Sequence, residues 1–441
     1  MTERLGRLPK EPVDRFTRPF TQFLRIEAAA GAVLLLCTAF TLVVSNSPWS
    51  APFLSFWETP VGFHMGGIEL SRSLKHWIND GLMTLFFFIV ALELKREMAL
   101  GELRNPQAAA LSLAAAIGGM AVPASLFLLL AGGGAGAHGW GTVMATDTAF
   151  VIGCLAVLGS RIPQSLRLFL LSLAIFDDIG AILVIAIGYG DPLNWVALCL
   201  SALELAAVSG AAWLGVRSTL AYCIIGIAIW LAVDASGIHP TLVGVILGMM
   251  TPTRSWISDY RLRTILDRVI AYPPGDHWSG DTIDRRDLRR AGIATWEALS
   301  PVERLEIALH PWVAFVIMPL FALANAGLPI SSSGLDEGIA IAIFVGFVFG
   351  KPAGVVLFSF LAVALRLAIR PPDLPWSMLA GGALLTGIGF TMALFIAELG
   401  FSAALLNSAK LGILGASVVS AVCGLLALGW LTSARTVTDN G

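Results

Sequence analysis

The sequence predicts an all-α integral membrane protein of about twelve transmembrane helices, and three observations carry that prediction. Charged residues make up 13% of the 441 residues and apolar ones 56%, whereas soluble domains carry about a quarter charged residues. Apolar runs of roughly 17 to 25 residues recur along the chain, each long enough to cross a hydrocarbon core as a helix. Lys and Arg crowd into alternate connections, as expected when cytoplasmic loops retain positive charge during insertion. Backbone groups in lipid must pair internally, which leaves helices or a closed barrel. A barrel needs short alternating segments, and runs such as Ala108–Leu130 show no alternation.

The polar, basic residues 1–25 are expected to form a cytoplasmic N-terminal segment, 26–433 the membrane domain and 434–441 a cytoplasmic tail. The first apolar run, Ala28–Val44, lacks a following small-residue cleavage site and is kept as helix 1 rather than a signal peptide. The spans that follow are Ile78–Leu94, Ala108–Leu130, Gly141–Leu158, Leu166–Ile187 and Trp195–Val216. The second half adds Leu220–Val233, Leu242–Met250, Trp312–Leu328, Ile339–Leu365, Trp376–Leu399 and Ala403–Leu431, of which Leu242–Met250 is too short to cross unaided. With the N-terminus inside, that side collects nearly all of the 28 basic residues. Only Arg72 and Lys75 fall outside, and Lys351 and Lys410 lie within spans. This places both termini in the cytoplasm. A net charge of −2 so distributed suggests no nucleic-acid partner, and the five cysteines have no zinc-type spacing and read as packing residues.

Two connections are long. Ser45–His76 contains a weak hairpin signal in Val61–Leu70, around Met65-Gly66-Gly67, which could pair with a second copy to make a homodimer. Thr251–Glu306 mixes Arg with Asp and reads as a solvated cytoplasmic loop without chemistry.

Adjacent Asp177 and Asp178 sit in the middle of an apolar span, Leu173-Ala174-Ile175-Phe176-Asp177-Asp178-Ile179-Gly180. Each mid-membrane Asp costs about 2.5 to 3.5 kcal/mol by insertion scales, so the pair needs a compensating role. Neighbouring helix residues project about 100° apart, so one carboxylate can face an aqueous cavity and the other a partner helix. Close carboxylates repel, which makes protons and cations competitors for one site. A second signal is the polar break in Val143-Met144-Ala145-Thr146-Asp147-Thr148-Ala149-Phe150 of helix 4, matched by Leu385-Thr386-Gly387-Ile388-Gly389-Phe390-Thr391 in helix 11, where two glycines can release helical geometry. Paired interruptions in two halves of a transporter point to discontinuous helices meeting at a midplane site. Asp147 could balance the positive helix ends exposed there, while Thr146 and Thr148 could equally back-bond to the preceding turn. A third signal is Lys351, an ammonium inside helix 10 beside Pro352, with Asp177 as its natural partner and snorkelling as the alternative. Weaker candidates gather near the cytoplasmic side: Glu93 in one stretch, Glu306 and His310 in another. They form either a pH-responsive cluster or plain interfacial ion pairs. Lys410, Glu204 and Glu398 receive the plain reading, and Asp80 is left undecided.

An intramembrane aspartyl protease would need Gly-x-Gly-Asp, but Gly387-Ile388-Gly389 precedes Phe390 and neither central aspartate follows glycine. The chain shows no repeated pore loop of a channel. An ion exchanger and a proton-coupled transporter of an organic solute both remain open on these residues. On its motifs, however, the chain closely resembles the NhaA family of bacterial sodium/proton antiporters. The matching stretches are Asn79–Glu97, Ala145–Phe150, Ala174–Ala181, His239–Gly248, Leu305–Gly327, Gly350–Gly354 and Gly387–Thr391. That family is itself among the transporters behind the broken-helix rule.

The resemblance implies inverted repeats with helices 4 and 11 broken and crossed, in the bacterial inner membrane. It implies electrogenic, pH-activated exchange of Na+ or Li+ for H+, with no cofactor. It implies Asp178 as the principal cation and proton carboxylate, with Asp177 binding the cation or pairing with Lys351. Asp147 and Thr146 would support the site, and Glu93, Glu306 and His310 would belong to the pH-responding region. Ile307 stands where many members carry histidine, and the central loop is longer than the resemblance leads one to expect.

Overall fold

A computed structural model describes residues 27–65, 68–101, 106–134, 136–190, 192–214, 216, 219–255, 257–270, 283–329 and 336–438. Among the described residues, eight helices are long and apolar enough to cross a membrane, or nine if the bent pair Trp376–Leu385 and Phe390–Gly400 is one span. The runs expected as helices 1, 7 and 8 are helical too, over Glu27–Ser45, Thr219–Asp234 and Leu242–Met250. An additional short helix, Ser50–Trp57, occupies the first long connection. Next to it, antiparallel strands Pro60–Met65 and Ile68–Ser73 pair from Pro60 opposite Ser73 to Met65 opposite Ile68. The hairpin therefore forms, and its turn residues 66–67 lie outside the described residues.

One boundary differs materially from the sequence expectation. The ninth helix begins at Pro301, not Trp312, so Glu306 and His310 belong to a helix rather than to a loop. Its start is a capping box. The backbone N–H of Ser300 donates to Glu303 Oε2 at 3.0 Å, and that of Glu303 returns to Ser300 Oγ at 3.3 Å. Pro311 does not end the helix; the chain continues through a π-turn, Val313–Ile317, into Met318–Asn325. The supposed solvated loop before it also contains two helices, Asp259–Ile270 and Ile283–Ala298.

The chain folds as two compact units. The first comprises Met1–Met83, Asn105–Asp191 and Pro311–Gly441, the second Thr84–Arg104 and Pro192–His310. In the first unit, Pro106–Ala131 packs along Lys351–Ala364 at backbone distance. A Cβ added to Gly354 would stand 2.1 Å from the Gly118 carbonyl oxygen, and one added to Gly118 would stand 2.3 Å from that of Gly354. Small residues permit such approaches in membranes, where association relies on close packing. A reciprocal amide pair ties Asn79 to Asn325, with Asn325 Nδ2 donating to Asn79 Oδ1 at 2.7 Å. Glu398 accepts from Lys75 Nζ at 2.8 Å and lies 3.0 Å from Lys410 Nζ, a partly buried triad that joins three separate helical segments. Glu398 and Lys410 are thus ion-paired, as the plain reading has it, with Lys75 as a third member, and Asp80 pairs with His76 at 2.9 Å.

In the second unit, Gly244 and Gly248 bring the short Leu242–Met250 helix onto Thr84, Phe88 and Ala91. Trp230 Nε1 donates to Thr84 Oγ1 at 3.0 Å.

Gly354→Leu is expected to lower the melting temperature in detergent sharply. Overpacking of this kind costs about 1 to 3 kcal/mol or more. Gly210→Leu, where an added Cβ meets nothing within 4 Å, should leave it nearly unchanged; equal effects would show that the contact is unimportant. Glu398→Ala should cost about 3 to 5 kcal/mol because it strands two ammonium groups, read in the same melt.

Candidate functional site

The site grows from two helix interruptions. A 3-10 turn, Ala137–Met144, ends where Ala145 turns extended, and an α-helix restarts over Thr148–Leu158. The second interruption separates Trp376–Leu385 from Phe390–Gly400 with a bend of 52°. Each break frees carbonyls on one side and N–H groups on the other, and none has water in the hydrocarbon region to turn to.

The two breaks satisfy one another. Asp147 N–H donates to the Ile388 carbonyl at 2.7 Å. Asp147 Oδ1 accepts from Phe150 N–H at 3.3 Å, capping its own half-helix. Its Oδ2 accepts from Thr391 N–H at 3.0 Å and Thr391 Oγ1 at 2.5 Å, capping the other half-helix. One carboxylate thus lies at two positive helix ends. The freed Met144 carbonyl accepts from Lys351 Nζ, a cation at a negative helix end. Thr146 Oγ1 lies 2.6 Å from Asp177 Oδ2 and 3.2 Å from the Thr386 carbonyl, and its single proton favours the shorter contact. Back-bonding to its own helix is therefore not what Thr146 does.

Gly387 and Gly389 serve here by absence of a side chain rather than by left-handed geometry; neither has a positive φ. A Cβ on Gly387 would come within 2.6 Å of the Phe347 carbonyl oxygen, and one on Gly389 within 2.4 Å of the Phe347 ring.

The aspartate pair sits on an unbroken helix, Gln164–Gly188, with both side chains buried. Asp177 Oδ2 is 3.1 Å from Lys351 Nζ, and both side chains are fully buried. Asp177 Oδ1 is buried without a hydrogen-bond partner. Asp178 lies close enough to act electrostatically on the same ammonium. Lys351 follows a π-turn, Gly346–Gly350. Pro352 lacks the N–H that an α-turn would use, and the widened turn carries the helix past it instead of breaking it. Snorkelling is ruled out by this burial.

Structure therefore brings Thr146, Asp147, Asp177, Asp178 and Lys351 into one cluster. Sequence reading set Met144, Ile388 and Thr391 within the two breaks but gave no role to the Thr391 side chain or to the two carbonyls. The polar Thr391 beside the glycine break was a readable hint; the two carbonyls carry no sequence signal. Glu93, Glu306 and His310 form a separate group in the second unit. Arg96 is its hub, bonded to Glu306 and 3.1 Å from Glu97, with His310 Nε2 4.0 Å from Glu93. Arg96 was legible only as part of a charged run, because its partner lies 210 positions away.

Comparison with known proteins gives a family. Residues 21–428 match the family described as Na+/H+ antiporter 1. The chain is 68% identical to the Na(+)/H(+) antiporter NhaA of Rhizobium meliloti (strain 1021) over 98% of this chain and 99% of that protein. Identity is 54% to Na(+)/H(+) antiporter NhaA 2 of Vibrio vulnificus (strain CMCP6), over 96% and 95%. It is 50% to the Na(+)/H(+) antiporter NhaA of Rhodopirellula baltica, over 96% of each chain. Apolar helices, a paired break and a match spanning nearly the whole chain lead to one conclusion: this multi-pass membrane protein is a transporter rather than an enzyme and belongs to the Na+/H+ antiporter family.

Proposed function

We propose that the protein is an electrogenic, pH-regulated antiporter that exports Na+ or Li+ across the bacterial inner membrane in exchange for entering protons, with Asp178 and Asp177 as the exchanging carboxylates. One observation carries the reading. Two adjacent buried carboxylates share an ammonium, which stands 3.1 Å from Asp177, and Asp177 Oδ1 has no hydrogen-bond donor.

A small hard cation takes oxygen ligands, and carboxylates and carbonyls supply them. Na+ entering beside Asp178 competes with protons for the same oxygens and repels the Lys351 ammonium. The cation and the protons therefore occupy the site in alternation. Asp177, Asp178 and Lys351 titrate as a set, so one Na+ can displace more than one proton, which is the source of net charge movement. Asp147 holds both half-helix ends whatever the site contains, and Thr146 orients Asp177. The Glu93, Arg96, Glu97, Glu306 and His310 group is the pH-responsive element in this reading. The Lys and Arg bias favours both termini in the cytoplasm, and the edge strands of the Pro60–Ser73 hairpin suit pairing with a second copy.

Purified protein in liposomes with an internal pH dye and an acid interior should lose its gradient when Na+ is added outside, and Asp178→Asn should not respond. If Na+, Li+ and K+ are all inert in the unaltered protein at every pH, ion exchange is wrong and a proton-coupled solute transporter takes its place.

Lys351→Ala should destabilise by about 3 to 5 kcal/mol because it strands Asp177, whereas Lys351→Met with Asp177→Leu should recover most of that loss in a detergent melt. The double variant should still fail to exchange sodium. Full exchange by it would remove this pair from the mechanism.

A further inference from the structure

The ion-exchange reading leaves the helices Asp259–Ile270 and Ile283–Ala298 without a role. They pack on each other. The first half-buries Leu262, Ile265, Leu266 and Val269, and the second buries Ala291 and Ala294. At about 100° per residue, the opposite arc of the second helix carries Leu288 and Trp296, with Leu299 following on the same line and Ile293 at its edge. All four are exposed, Trp296 at 60% and Ile293 at 53%. A soluble surface rarely collects large apolar residues in one stripe. Arg285 and Arg289 fall on that same arc and Arg286 beside Ile293, while Asp287 lies away from it and pairs with Arg290 at 3.3 Å.

An exposed arc on which Trp and other large apolar side chains interleave with arginines suits a helix lying in a membrane interface, the apolar groups inserted and the guanidinium groups snorkelling to the headgroups. Position along the chain agrees. Trp296 stands five residues before Pro301, a reach of at most about 18 Å even fully extended. Pro301 opens a membrane-crossing helix whose first turn still carries Glu303 and Arg304, which puts that turn at headgroup level. The charge bias also assigns this segment to the cytoplasmic side, where the leaflet is anionic.

We propose that this helix pair is a membrane-surface element that lays the Leu288, Trp296 and Leu299 stripe into the headgroup layer, with Arg285, Arg286 and Arg289 on the phosphates of anionic lipids. The assignment is independent of which ion the protein transports.

The test uses full-length protein with its five native cysteines replaced and a nitroxide at Ile293→Cys, at Trp296→Cys or, as control, at Thr264→Cys. Power saturation compares oxygen with a water-soluble nickel chelate. In liposomes containing phosphatidylglycerol, labels at 293 and 296 should favour oxygen and the label at 264 the chelate. Arg285→Gln with Arg289→Gln should shift the docked-to-undocked ratio by roughly thirtyfold, at about fivefold per arginine. Aqueous accessibility of 293 and 296 in these liposomes overturns the proposal. Equal depth in purely phosphatidylcholine liposomes overturns its anionic part. Protection from both reagents in native membranes but not in liposomes overturns it too, and assigns the surface to a protein partner instead.

Discussion

The structure rests on one requirement: no backbone group freed by a helix break can stay unsatisfied inside a membrane. Two breaks would be ruinous singly. Placed against each other, they become mutual solutions. Asp147 reaches the N-terminal ends of two half-helices, and its own N–H closes on the Ile388 carbonyl. Lys351 takes the carbonyl left at Met144. A negative group thus stands at positive helix ends and a positive group at a negative one, and the same charges that hold the fold surround the buried carboxylates Asp177 and Asp178 of the candidate site.

Such a crossing requires a crowded neighbourhood. Gly387 and Gly389 admit Phe347, and Gly118 and Gly354 let two helices touch through their backbones. Between these contacts, the π-turn Gly346–Gly350 re-aims the helix so that Lys351 points at Asp177. Apolar association is weak in lipid, so close fit does the positioning that hydrophobic burial would do in water. The ammonium arrives at its partner because glycine, proline and a widened turn agree on its direction.

Polar groups away from the crossing divide by purpose. Lys75, Glu398 and Lys410 form a closed ion triad, and Asn79 with Asn325 a closed amide pair. The group around Arg96 is looser, with an exposed imidazole at 4.0 Å from its carboxylate. Tight, satisfied networks favour one conformation, and the Arg96 group leaves Glu306 Oε2 buried without a partner.

Much was written locally in the sequence and could be read there. Unbroken apolar runs marked the spans because lipid demands continuous helices, and the Asp177-Asp178 pair marked the candidate site because its cost inside hydrocarbon admits few explanations. The start of the ninth helix was also written locally, in Ser300 and Glu303, whose capping box lies about three turns before the apolar run that marked the span. Tertiary structure alone decided the partners. Asp147 and Thr391 stand 244 positions apart, and Lys75 and Glu398 stand 323 apart. A side chain's type states that it needs a counter-charge or a donor. Which one it meets depends on the packing of distant helices, and no local pattern encodes that.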